Sequence, residues 1–328
     1  TIAGKNKIEL KDVLSGEVWV CSGQSNMQLQ VNECRDAERE IAKATYPKIR
    51  LFQVKRVPSH SPLDDVEGAW EACSPESVKG FSGAAYFFGR KLHEELDIPI
   101  GLILCAWGAT TIEAWTPRDV QLDDPIAKQI MDNVDKWAHR YDEAKAKERY
   151  ETAMARWRER FAAYKEGGYK GPWPSKPSLQ LHPMQNQHYP GNLFNGMINP
   201  IVPFAIRGAI WYQGESNSKR AENYEQSLKR MIAAWREEWG QGDFPFYFVQ
   251  LPNFRSPWTT PIEHEDWPIV REAFLNTART VPNTGMAITI DIGDVSNIHP
   301  KNKQAVGDRL ARIALRKSYG QMDHAWSG

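Results

Sequence analysis

Val20-Cys21-Ser22-Gly23-Gln24-Ser25-Asn26-Met27 is the stretch from which the rest of this 328-residue chain can be read. Just ahead of it, Gly16-Glu17-Val18-Trp19-Val20-Cys21 is apolar and rich in valine, with a glycine at its start, the pattern of a short buried strand. The small and polar run Ser22 to Asn26 then suits a tight turn. A turn at the carboxyl end of a strand in an α/β sheet is where such folds place their ligands. Ser25 therefore stands where a hydrolase holds its nucleophile. A serine hydroxyl is a weak nucleophile at its free pKa, so this reading requires a base elsewhere in the chain. The same serine would equally serve to cap the following helix.

Further strands are expected at 49–54, 100–105, 207–212, 245–251 and 285–290, with helices at about 82–96, 220–239, 266–280 and 302–318. This alternation predicts βαβ units and a mostly parallel sheet, hence an α/β fold of three layers with helices on both faces. In a flavodoxin-like strand order, 2-1-3-4-5, the carboxyl ends of strands one and three flank the switch point where ligands bind. Those ends carry Ser25 and Gly108. A nucleotide-binding fold is the natural rival, but no G-x-G-x-x-G or P-loop follows any expected strand. The base is sought near the other end, in Asp291-Ile292-Gly293-Asp294-Val295-Ser296-Asn297-Ile298-His299-Pro300. His299 falls in a loop between a strand and a helix, before a proline suited to opening that helix. Such a histidine is a candidate general base for an exposed serine, and otherwise a surface or capping residue.

Net charge is +0, with 41 basic and 41 acidic residues, so nothing points to nucleic acid or an anionic membrane as partner. No apolar run approaches the roughly 20 residues of a membrane span. Cys21, Cys34, Cys73 and Cys105 lack C-x-x-C spacing, and Cys21 and Cys105 fall in expected core strands, which suits buried thiols. His182 and His188 have no acidic neighbours at ligand spacing, so neither a metal nor a cofactor is called for. The chain carries 13 tryptophans. Trp19 and Trp211 lie in expected strands, whereas Trp107, Trp115, Trp258 and Trp267 fall in or near loops and are candidates to line a sugar site, with packing as the alternative for each. Residues 119–168 read as one long helix or a pair, with an apolar stripe of Tyr150, Met154, Trp157, Phe161 and Tyr164. Gly167-Gly168 ends it, and Gly171-Pro172-Trp173-Pro174-Ser175-Lys176-Pro177 is a loop. The whole of about 119–180 is thus a helical-hairpin insertion into one domain spanning 1–328.

Four segments together resemble the sialate O-acetylesterase family, a branch of the SGNH hydrolases that also includes acetylxylan esterases. They are Gly23-Gln24-Ser25-Asn26-Met27, Cys105-Ala106-Trp107-Gly108-Ala109-Thr110-Thr111-Ile112-Glu113-Ala114-Trp115-Thr116, Trp211-Tyr212-Gln213-Gly214-Glu215-Ser216-Asn217 and Ile298-His299-Pro300-Lys301-Asn302-Lys303-Gln304. They come in the family's order and span 16 to about 318. The resemblance implies an SGNH fold and metal-independent hydrolysis of an O-acetylated sugar or polysaccharide through an acyl-enzyme. In that scheme Ser25 attacks the ester carbonyl, and His299 takes its proton and later returns it to the departing sugar hydroxyl. The N–H groups of Ser25 and Gly108 face the oxyanion, with a third donor from Gln213 or Asn217. Gln24, Trp107, Trp115 and His188 are implied on the substrate side.

The chain departs from the family at the triad acid. Many members carry an aspartate where this sequence has Asn297, and the preferred partner for His299 becomes Glu215 of the Gln-Gly-Glu block. Two other readings stand beside the first: an acetylxylan esterase, and a catalytically degenerate carbohydrate-binding protein. Because family members usually carry an export signal and an N-terminal β-rich domain, the expectation is a catalytic-domain piece of an exported protein.

Overall fold

The segment Glu17–Gly23 forms a strand whose last five residues are all buried, and it sits at the middle of the sheet. In the computed structural model, residues 2–3, 7–168, 173–202, 204–256, 260 and 265–325 are described. Trp258, residues 171–172 of the expected loop and Trp326, Ser327 and Gly328 lie outside them. The sheet has seven strands: β1 (Glu17–Gly23), β2 (Tyr46–Gln53), β3 (Trp70–Cys73), β4 (Ile100–Ala106), β5 (Gly208–Tyr212), β6 (Phe246–Val249) and β7 (Thr284–Ala287), in the order β3-β2-β4-β1-β5-β6-β7. All neighbours are parallel except β3, which runs antiparallel on β2 at the edge.

The main helices are α1 (Gly83–Leu96), α2 (Pro125–Ala138), α3 (Glu143–Glu166), α4 (Tyr224–Trp239), α5 (Asp266–Thr280) and α6 (Lys303–Lys317). Successive residues of a strand point to opposite faces, and β1 divides accordingly. Trp19 and Cys21 join a core with α1 and α6, while Val20 joins one with α4 and α5. Trp19 packs edge-on to Phe88 of α1 and stacks on Tyr247 of β6, with centroids 5.1 and 5.8 Å apart. On the other face Trp211 meets Trp115 and Trp235 edge-on. Each such side chain taken from water contributes about 1.5–3 kcal/mol. All four cysteines are buried free thiols, and burial pushes Cys34 and Cys73 up to about 12.

Counted along the chain, the parallel strands run 2-3-1-4-5-6 across the sheet rather than 2-1-3-4-5. Strands one and three are neighbours in either order, paired from Glu17↔Ile100 to Gly23↔Ala106, so the ends carrying Ser25 and Gly108 still lie side by side. Sequence reading gave no hint of β3: its first three residues are exposed, and backbone pairing to β2 rather than a buried face holds it. The insertion is a helix pair. Asp124 caps α2 by accepting from Ile126 N and Ala127 N, and Asp142 caps α3 by accepting from Lys145 N. The stripe of α3 is covered by the following loop. Trp157 stacks on Phe161 at 5.0 Å and donates its indole N–H to Pro174 O, while Trp173 lies edge-on to Phe161 and Tyr164.

Candidate active site

The turn after β1 is built by close backbone approach. Gly23 has φ +143°, and a Cβ there would overlap the Tyr212 carbonyl, so only glycine fits without strain. Gln24 N donates to that carbonyl at 3.0 Å, and a single helical turn, Ser25–Gln28, follows. As the first residue of that turn, Ser25 has an N–H with no intrahelical acceptor. Its half-buried side chain meets His299, whose Nε2 lies 2.8 Å from Ser25 Oγ across 274 residues of sequence. With Nε2 as acceptor, the ring proton sits on Nδ1, and the hydroxyl is placed to give its proton to the imidazole. Burial and the nearby Lys303 cation hold His299 below its usual range, partly opposed by Glu33.

The expected triad acid is placed elsewhere. Glu215 is buried, and its Oε1 accepts from Asn26 Nδ2 at 2.6 Å rather than from His299, while Oε2 has no partner among the described residues. Burial raises its pKa, against the Asn26 hydrogen bond and the Lys303 charge, which lower it. Asn297 does not touch the ring either: its Oδ1 accepts from the backbone N–H of His299 at 2.9 Å, folding the loop back on itself. Among the described residues no carboxylate hydrogen-bonds to His299, so serine and histidine meet as a pair.

Gly108 lies against the nucleophile. A Cβ there would come 3.3 Å from Ser25 Cβ, and its N–H donates to Gln28 Oε1 at 2.7 Å. Gln213 and Asn217, expected as oxyanion donors, are committed to the protein. Gln213 Nε2 donates to Thr110 O and Asn217 Oδ1, and its Oε1 accepts from Tyr224. Asn217 Nδ2 faces both oxygens of buried Glu113, at 3.2 and 3.1 Å, and Arg220 pairs with that carboxylate at 2.9 Å. Gln24 is likewise structural, its Oε1 receiving Gly214 N and Ser216 N. Trp115 has no exposed surface and is a core residue rather than a substrate wall. Trp107 is half-buried beside Gly108, and its backbone N–H donates to Gly23 O. His188 is exposed and hydrogen-bonded through its backbone to Asn186, with no bond to Ser25 or His299. Trp267 donates to Pro252 O and packs on Phe254.

Sequence reading passed over three residues. Gln28 holds the Gly108 N–H. Asn26 donates to Ile298 O at 3.0 Å as well as to Glu215, and buried Lys303 donates to Asn26 Oδ1 at 2.6 Å and Pro300 O at 2.9 Å. Both Asn26 and Lys303 stood in the quoted motifs, but nothing local to the sequence shows that an amide and an amine 277 residues apart will meet. One further cation stands at the sheet's carboxyl edge: Arg56 Nε donates to Ala106 O at 3.1 Å, and its guanidinium makes no ion pair among the described residues. Among those residues no group of three or more His, Cys, Asp or Glu side chains is arranged to hold a metal ion.

Comparison with known proteins agrees with this architecture. A family described as carbohydrate esterase, sialic acid-specific acetylesterase, matches residues 15–163 and 183–316. Human sialate O-acetylesterase is 30% identical over 98% of this chain and 57% of its own length, and the mouse protein 28% over 98% and 60%. The chain thus spans about three-fifths of the curated relatives it matches. A crystal structure of a carbohydrate acetylesterase from Xanthomonas citri superposes with a TM-score of 0.71 at 30% identity, covering 93% of this chain and 57% of that one.

Proposed function

The chain belongs to the carbohydrate esterase family of sialic acid-specific acetylesterases, and on that premise we propose that it hydrolyses acetyl esters on sugars with Ser25 as nucleophile and His299 as base. The observation that carries this reading is the 2.8 Å contact between Ser25 Oγ and His299 Nε2. Oγ attacks the ester carbonyl as its proton passes to Nε2. The oxyanion that forms is met by the Ser25 N–H and by the Gly108 N–H, which exchanges Gln28 Oε1 for the stronger acceptor. Donors aimed at developing charge are worth about 3 kcal/mol each. Collapse expels the sugar oxygen, which takes the proton from Nε2 and leaves acetyl on Ser25. Water, deprotonated by His299, then releases acetate. Glu215 supports the base at one remove, through Asn26.

The preferred substrate is an acetylated acidic sugar of the sialate kind, supported by the unpaired guanidinium of Arg56 beside the end of β4. Acetylated xylan is the second reading. Export of the protein belongs to the same proposal. The test measures acetate release from O-acetylated sialic acid and from acetylated xylan, with Ser25→Ala as control. Ser25→Ala is expected to lose at least about 10⁴-fold in kcat. Arg56→Met is expected to lose about tenfold in kcat/KM on the acidic sugar only, as one charge-assisted hydrogen bond goes. Unchanged turnover in Ser25→Ala would overturn the mechanism. Binding without release of acetate from either substrate would instead make the chain a carbohydrate-binding protein.

A further inference from the structure

Lys303 is fully buried, opens α6, and lies four residues beyond His299. Its ammonium donates to Asn26 Oδ1 and to Pro300 O, and sits 5.1 Å from the centroid of the Tyr212 ring. Asn26, the neighbour of the nucleophile, donates in turn to Glu215 Oε1 and Ile298 O. The two carbonyls that flank His299, those of Ile298 and Pro300, are therefore each held. One is held by Asn26 and the other by the lysine bonded to Asn26. Packing alone does not call for a charge here, since an apolar side chain of similar volume fills a buried site without the desolvation cost of an ammonium.

We propose that Lys303 is a positioning residue for the hydrolytic site, locking the loop that carries His299 onto the turn that carries Ser25 and setting the charge the imidazole faces. This rests on the serine–histidine reading above. The groups around the two residues define the electrostatics. Lys303 faces Glu215 from the segment after β5, the Tyr212 ring from β5, the Cys34 thiol from the segment before α1, and His299. His299 faces Lys303, Glu33 and Ser25. The cation opposes protonation of His299 and so keeps it able to accept the Ser25 proton, while Glu33 works the other way. Burial brings Lys303 itself down to about 8, and Glu215 helps to keep it charged. The Cys34 thiol, pushed up to about 12, stays neutral where Lys303 titrates.

The experiment follows the His299 ring by NMR titration, together with the pH profile of kcat/KM, in the intact chain and in Lys303→Met and Lys303→Arg. The methionine variant is expected to raise the His299 pKa and move the acid limb upward. It should also lower kcat by roughly 10- to 100-fold with KM little changed, the loss a misplaced base produces. Arginine should return the acid limb towards its original position, because the charge is kept. A His299 titration unmoved by Lys303→Met overturns the proposal. Should that variant not fold, Glu215→Gln tests the same link from its other end. It keeps the acceptor for Asn26 but removes the charge that supports the ammonium, so the alkaline limb, where Lys303 loses its proton, should move to lower pH. An alkaline limb that stays in place overturns the proposal there. An inactive wild type would instead undo the hydrolytic reading, and the NMR titration would still decide the role of Lys303.

Discussion

In the proposed mechanism His299 has to be neutral to accept a proton from Ser25, and its surroundings favour that state. Burial withdraws water from the imidazolium, and the ammonium of Lys303 repels it, while the exposed Glu33 attracts it. The folded-state pKa therefore lies below the ordinary histidine value of 6.5. As pH falls through that depressed value the ring takes a proton, Nε2 ceases to be an acceptor, and the proposed turnover is expected to be lost. The acid limb of kcat/KM reports this group in the free enzyme, so it is expected below pH 6.5, and a limb at or above that value would contradict the stated surroundings. The sign for stability is the same: below 6.5 the unfolded chain binds the proton more readily than the folded one, so this residue's contribution weakens as the solution is acidified.

Elements turn these single residues into a site. Beneath the turn that carries Ser25, the segment after β5 is tied to the Gly108 loop by Tyr224, Gln213, Asn217, Glu113 and Arg220. Glu113 is the pivot, with Asn217 and Arg220 both on its carboxylate. Glu113→Ala leaves a buried amide unsatisfied and a guanidinium unpaired. Because Arg220 keeps 32% of its side chain in contact with water, the expected loss is about 2 kcal/mol rather than that of a fully buried pair. Urea unfolding measures it, and a change under 0.5 kcal/mol, the range of an ordinary surface substitution, would show that the network holds nothing. The same elements explain what could be read in advance. Strands such as β1 and β4 are apolar runs ended by small residues, and α1, α4, α5 and α6 carry stripes at helical spacing, so periodicity located them. Edge strand β3 buries almost nothing and left no periodic trace. The places of Ser25, Gly108 and His299 were legible because each falls in a turn or loop after an apolar strand. The pairings of Glu215 with Asn26, Gln213 with Thr110 and Asn217 with Glu113 were not, because a hydrogen bond between segments a hundred or more residues apart leaves no mark in either one.

At the scale of the whole molecule, one sheet separates two apolar layers, and every parallel strand contributes side chains to both. Trp19 belongs to the layer under α1 and α6, and Trp235 to that under α4 and α5. If the described chain is one cooperative unit, Trp19→Ala and Trp235→Ala lower the same calorimetric transition, each by about 3–5 kcal/mol. Two transitions, each moved by only one of the variants, would divide the chain into separate domains.

The 274 residues between Ser25 and His299 also have a consequence for synthesis. Of the seven strands β1 emerges first, yet both its neighbours, β4 and β5, come later, and His299 arrives later still, just ahead of α6. In the proposed mechanism Ser25 lacks its base in a ribosome-bound chain until His299 has left the exit tunnel. Contacts of such long sequence separation also make folding slow. Under the proposed mechanism the growing polypeptide is inert towards esters until the segment carrying His299 packs beside Ser25.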